Sequence, residues 1–369
     1  MTQHARIPAD RDHEALIDSP YAWIRLGVSV LLATIGGVGM WSVVVALPAV
    51  QSEFGVDRGD ASLPYTLTML GFGVAGIAMG RFADRFGIAL VVAGGALALA
   101  LGYVAAGFAP TLWLVTVAQL VIGIGSAATF GPLIADVSHW FLRRRGIAVS
   151  ICAAGNYLSG TVWPSLLQHF IDTVGWRQTY IGVGLFCVAT MVPLVLALRR
   201  RAVLHDAGSV AGGAGERSLG LSPNALLALL CVAGVACCTA MSMPQVHIVA
   251  YCGDLGYGVQ AGAVMLSLML GFGIVSRVTS GWIADRLGGV ATLLLGSALQ
   301  GTALLLYLSF SGLNALYVIS ALFGLFQGGL VPSYAIIIRE YFPAREAGAE
   351  VGIVLLATLV GMAFGGWIS

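Results

Sequence analysis

Long runs of apolar residues follow one another along almost the whole chain and are separated by short polar segments. A run of about 20 such residues forms a helix long enough to cross the ~30 Å hydrocarbon core of a bilayer. Backbone groups in that core must pair within their own segment, and the runs lack the alternation of membrane β-strands, so each predicts a helix. We number the eleven predicted spans in chain order: 24–47, 63–80, 88–108, 111–135, 147–168, 178–198, 224–250, 260–280, 290–310, 314–337 and 348–368.

The composition also indicates a membrane protein. Of the 369 residues, 58% are hydrophobic and only 9% are charged, whereas soluble chains carry about 25% charged residues. The net charge of +1 gives no reason to expect a nucleic-acid partner. We therefore predict an all-α polytopic membrane protein whose surroundings are the lipid bilayer.

The stretch MLGFGVAGI at 69–77 contains the glycine spacing of a dinucleotide-binding turn, with glycines at 71, 73 and 76. That turn requires a preceding strand in a soluble βαβ unit, but these glycines lie inside span 2. Small residues at such spacings let membrane helices approach closely. We interpret the pattern as helix packing and expect no nucleotide, metal or other cofactor.

The arginines indicate how the chain is oriented, since all eighteen basic residues are arginine. With a cytoplasmic N-terminus, fifteen of them lie in inner segments and two, Arg58 and Arg177, lie in outer loops. Basic residues are retained on the cytoplasmic side of membranes. We therefore expect a multi-pass protein of the cell's inner (cytoplasmic) membrane with its N-terminus in the cytoplasm. The remaining arginine, Arg277, lies inside span 8.

The chain consists of two similar halves. The segment GRFADRFG at 80–87 recurs as GWIADRLG at 281–288, an offset of 201 residues. Between the copies, the polar stretch 199–222 predicts a flexible cytoplasmic linker. We predict a six-helix bundle over 1–198 and a second bundle of the same orientation over 223–369. Because the offset places the last residue opposite Gln168, we expect a twelfth span beyond this sequence.

The two repeated segments resemble the loop signature of the major facilitator superfamily, found after its second and eighth helices, and the resemblance covers nearly the whole chain. It implies the major facilitator fold, in which two parallel six-helix bundles rock about a central site. We expect the protein to function as a monomer.

Four stretches resemble the monocarboxylate porters and the bacterial oxalate/formate antiporters: RRGIA at 144–148, GWR at 175–177, VHIV at 246–249, and Arg277-x-x-x-Gly281 in span 8. In that group the span-8 arginine binds substrate. The chain departs from the animal porters at Gly273, where they carry an aspartate, and it contains no lysine. The resemblance implies a small carboxylate as substrate, with a proton or a counter-anion as the coupled species.

Arg277 is the leading candidate for a binding residue. A charge inside a span costs about 2.5–3.5 kcal/mol on insertion scales and usually faces a cavity or a partner. No acidic residue lies in mid-span to pair with it, and a guanidinium can bind a carboxylate through two hydrogen bonds. The alternative is that the side chain reaches the membrane surface, because Gly281 marks the inner end of the span one turn away.

Five further residues are candidates for the cavity. His247 could titrate in a wet vestibule, or it could be a packed structural residue. The others are polar or aromatic members of apolar runs, so hydrogen bonding between helices would explain them as well as a place in the cavity. They are Trp41, Asn156, Tyr157 and Tyr334.

The signature residues predict a gate at the cytoplasmic ends of the helices. The resemblance implies that Asp84 caps span 11 of the other half and stabilises the outward-facing state, which supplies the differential stability that alternating access requires. Simple solvated loop charges are the alternative. We expect Asp136 and the arginines at 143–145 to complete an inner ion-pair network. The predicted gate residues are Gly80, Asp84, Arg85, Asp136, Arg144, Gly281, Asp285 and Arg286.

These observations predict a secondary active transporter that moves a small monocarboxylate across the membrane by alternating access. An exporter of drugs or other uncharged solutes is the alternative within this class, but it would leave Arg277 unexplained. A membrane enzyme would need a nucleophile–base pair or a metal cluster, and the sequence contains neither HExxH nor GxSxG. We therefore do not expect an enzyme.

Overall fold

The structure is a computed structural model that describes residues 17–141, 143–200, 220–342 and 347–368. Within these ranges the regular secondary structure is helical throughout. The helices are α1 Pro20–Gly36, α2 Val38–Phe54, α3 Arg58–Phe86, α4 Ile88–Phe108, α5 Leu112–Ala127, α6 Gly131–His139, α7 Arg145–Val174, α8 Trp176–Leu196, α9 Pro223–Asp254, α10 Val259–Leu287, α11 Gly289–Ser309, α12 Leu313–Gln327, α13 Leu330–Tyr341 and α14 Ala347–Ile368.

Each predicted span corresponds to one of these helices or to a broken pair of them. Span 1 is divided into α1 and α2, span 4 into α5 and α6, and span 10 into α12 and α13. Ten helical segments in the described residues are long and apolar enough to cross a membrane. The remaining span is α7, a helix of 30 residues that includes Asn156 and Gln168. The predicted all-α polytopic architecture is confirmed.

Polar caps and glycines end the helices near the predicted connections. The side chain of Asp57 accepts a hydrogen bond from the backbone N–H of Asp60 and caps α3. Gly87, between α3 and α4, and Gly288, between α10 and α11, have φ angles of 88° and 85°. Glycine adopts this region without the steric cost that other residues incur. Because the two glycines are 201 residues apart, the same turn follows both copies of the repeated segment.

The same close helix contact occurs in both halves. A Cβ atom on Gly123 of α5 would overlap the carbonyl oxygen of Thr68 in α3, and one on Gly324 of α12 would overlap that of Met269 in α10. Both members of these pairs are related by the offset of 201. Glycine permits such an approach of one membrane helix to another. Gly71 also lies against α5, as expected if the glycine pattern of span 2 serves helix packing.

The two halves meet through equivalent pairs of helices. Helix α3 packs against α14, helix α7 packs against α10, and α2 contacts α9. Under the offset of 201, α3 corresponds to α10 and α7 corresponds to α14, so the first two contacts are equivalents of each other. Two parallel repeats related by an axis along the membrane normal are expected to meet in this way.

The outer surface of the helices is strongly apolar. Leu101, Phe108 and Leu308 are 68%, 73% and 85% exposed. Side chains of this kind over a helical surface suit a hydrocarbon environment and not water. The chain is a multi-pass membrane protein.

Candidate functional site

The linker side is the side of the membrane on which α1 and α9 begin and α8 ends, next to the segment 199–222. The far side is the opposite side, on which α3 and α10 begin and α9 ends.

A cavity of about 320 Å³ lies between the two halves. Residues of α2, α3, α5, α6 and α7 form its wall in the first half, and residues of α9, α10, α13 and α14 form its wall in the second half. Apolar side chains dominate this wall, among them Met40, Phe72, Phe130, Leu356 and Met362. A cavity of this size and lining is typical of a small-molecule site.

Four of the six predicted binding residues line this cavity, namely Trp41, Asn156, Tyr157 and Arg277. They come from three different helices, α2, α7 and α10, and are brought together only by the packing of the two halves. Trp41 and Arg277 are far apart in the sequence, so the spacing of residues alone could not place them in one site.

The structure places the other two predicted binding residues away from the cavity. The Nε2 atom of His247 lies 3.1 Å from the carbonyl oxygen of Gly366, so this histidine joins α9 to α14. Tyr334 is 1% exposed and packs in a separate apolar cluster with Leu226 and Leu230. Both residues therefore make contacts within the second half.

Arg277 lies over the aromatic ring of Tyr157, with its Cζ atom 4.2 Å from the ring centroid. This distance is that of a cation–π contact. Arg277 belongs to none of the ion pairs found among the described residues, and its buried Nε atom has no hydrogen-bond partner there. The cavity therefore contains a guanidinium that no described carboxylate neutralises.

Gly273 makes room for this contact. It lies one helical turn before Arg277 in α10, and a Cβ atom on it would overlap the ring of Tyr157. The ring therefore occupies the space that a side chain at position 273 would fill. An aspartate at this position, as in the animal porters, would have to displace Tyr157.

The first half has no cation at the position equivalent to Arg277. The offset of 201 places Gly76 opposite Arg277, and Gly76 also lines the cavity. Beyond the backbone of its own helix, a Cβ atom on Gly76 would have no described atom within 4 Å, so the cavity is open at this point. Two equivalent positions thus face the cavity, and only the one in the second half carries a charge.

Gln245 also lines the cavity, although it is not among the binding residues predicted from the sequence. Its Nε2 atom donates a hydrogen bond of 2.9 Å to Oε1 of Gln327. The two residues are 3% and 1% exposed. A glutamine in an apolar run is the only sequence signal, and it does not distinguish a site residue from one that joins helices.

Contacts between the halves close the molecule on the far side of the cavity. Arg58, at the start of α3, forms an ion pair with Asp254 at the end of α9. The hydroxyls of Ser165 in α7 and Ser267 in α10 are 3.2 Å apart. The residues that line the cavity lie nearer to the linker side in these same helices. The cavity therefore lies on the linker side of these contacts, which close the far side.

Six of the predicted gate residues lie in the repeated segments at the linker-side ends of α3 and α10. Gly80 and Gly281 are helical, and neither would bring a Cβ atom within 4 Å of a neighbour. The side chains of Asp84 and Asp285 lie outside the described part of the structure. The capping of span 11 by Asp84 therefore stays a prediction.

One arginine in each repeated segment stacks on a neighbouring ring. The Cζ atom of Arg85 lies 5.3 Å from the ring centroid of Phe86, and that of Arg286 lies 3.9 Å from the ring centroid of Trp282. Both arginines are exposed, and each contact lies within a single helix.

Asp136 forms a buried ion pair with Arg25. The Nε and Nη2 atoms of Arg25 donate to its two carboxylate oxygens at 2.8 and 2.9 Å, and the side chains are 1% and 10% exposed. Arg144 is exposed and lies over the ring of Trp23 at 6.0 Å. In the described residues, the ion-pair partner of Asp136 is thus Arg25 of α1, and a network that also includes the arginines at 143–145 stays a prediction. This pair joins α1 to α6.

Comparison with known proteins gives one family. Residues 30–366 match the family described as the Major Facilitator Superfamily. The chain is 31% identical over 312 residues to Monocarboxylate transporter 13 of Bos taurus, which covers 80% of this chain and 71% of that protein. It is 26% identical over 357 residues to the MFS-type transporter opdF of Penicillium oxalicum, which covers 92% of this chain and 80% of that protein.

The fold also resembles solved structures. A bacterial homolog of the human lysosomal transporter Spinster, in an inward-facing and occupied conformation, matches with a TM-score of 0.73 and 14% identity over 95% of this chain and 81% of that chain. At this identity the likeness concerns the fold alone.

Proposed function

Because the chain belongs to the Major Facilitator Superfamily and is a transporter and not an enzyme, we propose that it is a secondary active transporter of small monocarboxylates. The two bundles, 1–198 and 223–369, rock about the central cavity, and the segment 199–222 connects them in the cytoplasm. A proton or a counter-anion moves with the carboxylate. The protein functions as a monomer.

The observation that carries this proposal is the guanidinium of Arg277, which lies in an apolar cavity and is neutralised by no carboxylate among the described residues. A charge in such surroundings is unfavourable unless it has a partner. A carboxylate supplies the opposite charge and two oxygens that match the fork of a guanidinium. One cation favours a monoanion, and Gly76 adds no second charge at the equivalent position. The similarity to a protein named as a monocarboxylate transporter supports the same cargo.

The arginine distribution gives the proposed orientation. With the linker side in the cytoplasm of a cell with an inner membrane, the basic residues follow the positive-inside rule. The cavity then faces the cytoplasm, and the ion pair Arg58–Asp254 lies on the outer surface. The opposite state of the cycle has this pair broken and the linker-side ends of α3 and α14 drawn together.

Uptake into proteoliposomes tests the proposal. The purified protein is reconstituted and offered a panel of labelled monocarboxylates and dicarboxylates, with and without a pH gradient. We expect uptake of monocarboxylates to exceed that of dicarboxylates. Stimulation by an inward proton gradient indicates proton symport, and stimulation by internal carboxylate indicates exchange. Uptake of uncharged solutes with no uptake of any carboxylate would overturn the proposal.

One observation favours a second candidate, an exporter of uncharged apolar solutes. Most of the cavity wall is apolar, and burial of an apolar cargo there would be favourable without any ionic contact. The same vesicles distinguish the two functions. An exporter of uncharged solutes moves the amide or ester of an acid but not the ionised acid, whereas a carboxylate transporter moves only the acid.

A further inference from the structure

Contacts between α7 and α10 show at which end of the cavity its cation lies. Near the linker side, the guanidinium of Arg277 lies over the ring of Tyr157. Nearer to the far side, a Cβ atom on Gly160 would overlap the side chains of Leu270 and Trp41. Because α7 and α10 run in opposite directions, the order of residues in both helices places Leu270 and Trp41 beyond the guanidinium. Arg277 therefore lies toward the linker-side end of the cavity.

The other end of the cavity, which we call the deep end, is lined mainly by apolar side chains. Its residues come from four helices and are Met40, Trp41, Met241, Leu270 and Met362. Gln245 also lines this end, but its amide nitrogen donates to Gln327 and its amide oxygen is buried. The indole nitrogen of Trp41 is buried as well. Among the described residues, the deep end thus presents hydrocarbon and sulfur to a ligand.

Contacts of α14 with α3 place Met362 at this depth. A Cβ atom on Gly73 would contact the side chain of Leu359, and the hydroxyl of Thr66 donates to the carbonyl oxygen of Ala363. Since α3 begins on the far side, the position of Ala363 is nearer to that side than the position of Leu359. Met362, next to Ala363, is therefore about one turn deeper than Leu359.

The three methionines of the deep end suit an apolar group of variable shape. A methionine side chain has three rotatable bonds and a polarisable sulfur, so it adapts to different apolar surfaces. Met40, Met241 and Met362 lie in α2, α9 and α14, which places adaptable side chains on both halves of the protein. A straight chain, a branched chain and a phenyl group can all be accommodated by such a wall.

The dimensions of the cavity limit the size of this group. Leu270 precedes Gly273 by three residues and Arg277 by seven, which corresponds to about 5–10 Å along α10. A cavity of about 150 Å³ is large enough to bind benzene, and this one is about 320 Å³. Acetate or lactate bound at Arg277 would leave the deep end without an apolar partner.

We propose that the deep end receives the hydrocarbon body of the cargo while Arg277 holds its carboxylate, and that the cargo is a monocarboxylate with an apolar body of about five to eight carbon atoms. The body points toward the far side. This inference rests on the proposed function, to which it adds the class of acid and the orientation in which the acid binds.

Calorimetric titration of the protein in lipid nanodiscs with unbranched acids tests the inference. The probes are acetate, butyrate, hexanoate, octanoate and decanoate, and titration of Arg277→Ala nanodiscs measures their partition into lipid. We expect the affinity to rise about threefold for each added methylene, because each one is removed from water. The rise should stop near octanoate, where the deep end is filled.

Acids with a polar tail test the character of the deep end. 6-Hydroxyhexanoate and adipate have nearly the length of hexanoate, but binding would bury their hydroxyl or second carboxylate against apolar side chains. Burial of such a group without a partner is unfavourable. Both should therefore bind at least about tenfold more weakly than hexanoate.

Variants of Met362 assign the chain-length limit to the deep end. Met362→Ala enlarges the cavity, so the affinity should continue to rise for about two carbons beyond the limit of the parent protein. Met362→Phe should lower the limit, because the ring is bulkier and more rigid. Met243→Ala is the matched control, since Met243 lies in α9 but is 40% exposed on the outer surface. It should leave the limit unchanged.

The outcomes separate this inference from the proposed function. Arg277-dependent binding that does not strengthen with chain length, or equal affinity for hexanoate and adipate, would overturn the apolar body, while monocarboxylate transport would stand. The same chain-length limit in the parent protein and both Met362 variants would also overturn the inference. Binding of no acid beyond that of Arg277→Ala would overturn both. If Met362→Phe does not fold, Met362→Ala and the acid series in the parent protein still decide.

Discussion

The guanidinium of Arg277 in α10 lies 4.2 Å from the ring centroid of Tyr157 in α7, and this contact joins the two halves of the protein. The ring of Tyr157 fills the space beside Gly273, so the same tyrosine packs against α10 and holds its cation. A movement of one half relative to the other changes the surroundings of the arginine directly. A ligand that binds Arg277 is therefore placed to influence the equilibrium between conformations.

Replacement of Arg277 should remove carboxylate transport. Arg277→Ala should abolish uptake of the acid in proteoliposomes, because Arg277 supplies the cation among the described residues that line the cavity. Arg277→Lys keeps the charge but loses the bidentate geometry. Loss of one charge-assisted hydrogen bond costs about 1.5–3 kcal/mol, so affinity should fall roughly ten- to hundredfold.

Arg199→Ala is the matched control for this experiment, since Arg199 is exposed at the end of α8. It removes an arginine without altering the cavity and should leave uptake unchanged. Normal acid uptake by a well-folded Arg277→Ala protein would contradict the assignment and support the alternative in which the side chain reaches the membrane surface.

Tyr157 should affect affinity through its ring. Tyr157→Leu removes a cation–π contact worth about 0.5–2 kcal/mol, so affinity for the acid should fall about two- to thirtyfold. Tyr157→Phe keeps the ring and should bind the acid within about twofold of the parent protein. The affinity of each variant is measured from the rise in its unfolding temperature as the acid concentration increases. Equal affinities in the leucine and phenylalanine variants would show that the stacked geometry is unimportant for binding.

The hydropathy pattern predicted the spans because the bilayer requires helices of about 20 apolar residues. It did not predict the breaks in spans 1, 4 and 10, since the broken segments are as apolar as the rest of those spans. The break between α1 and α2 lies where a Cβ atom on Gly36 would overlap Thr129, next to the break between α5 and α6. Such a contact depends on residues far apart in the sequence.

The site was predictable only in part. Arg277 is conspicuous because a charge inside an apolar span is rare. Gln245 and Gln327 are 82 residues apart, and only the fold brings them within hydrogen-bond distance. His247 and Tyr334 have residue types that suit a binding site, but the rotation of a helix decides which way a side chain faces. Hydropathy carries no information about that rotation.

The ion pair Arg58–Asp254 should stabilise the state in which the far side is closed. Its side chains are 32% and 58% exposed, and exposed pairs contribute at most about 1 kcal/mol. Asp254→Ala should therefore shift the population of the closed state by up to about fivefold. Distances between spin labels on the far-side ends of α2 and α9 report this shift.

Two further variants support the interpretation of that shift. Arg58→Asp combined with Asp254→Arg should restore the parent distribution. Arg177→Ala removes the pair with Glu53 on the same side of the membrane but within one half, so it should leave the distribution unchanged. An unaltered distribution in Asp254→Ala would mean that other contacts alone close the far side.

Asp136 should matter for stability. Asp136→Ala leaves the buried guanidinium of Arg25 without its partner, and breaking a buried pair in this way costs about 3–5 kcal/mol. Thermal unfolding should show a large loss, and Arg25→Leu combined with Asp136→Leu should recover much of it. A change in the conformational equilibrium with no loss of stability would instead place Asp136 in the gate.

The orientation can be measured with reporter fusions. Fusions after Arg200 and after Arg339 should report the cytoplasm, because these positions end α8 and lie near the end of α13 on the linker side. Fusions near Asp57 and Asp254 should report the opposite compartment. The inverse pattern would contradict the orientation based on the arginines.

Gly76 lies at a position where one mutation would change the charge of the cavity, and with it the charge of the cargo. It faces the cavity at the position equivalent to Arg277, and beyond its own helix backbone no described atom lies within 4 Å of where its side chain would begin. A single base change converts a glycine codon into an arginine codon. A gene of this kind is therefore one point mutation from encoding a site with two guanidinium groups, one from each half, suited to a dianion. Changing the cargo in that way requires no new helix, loop or domain.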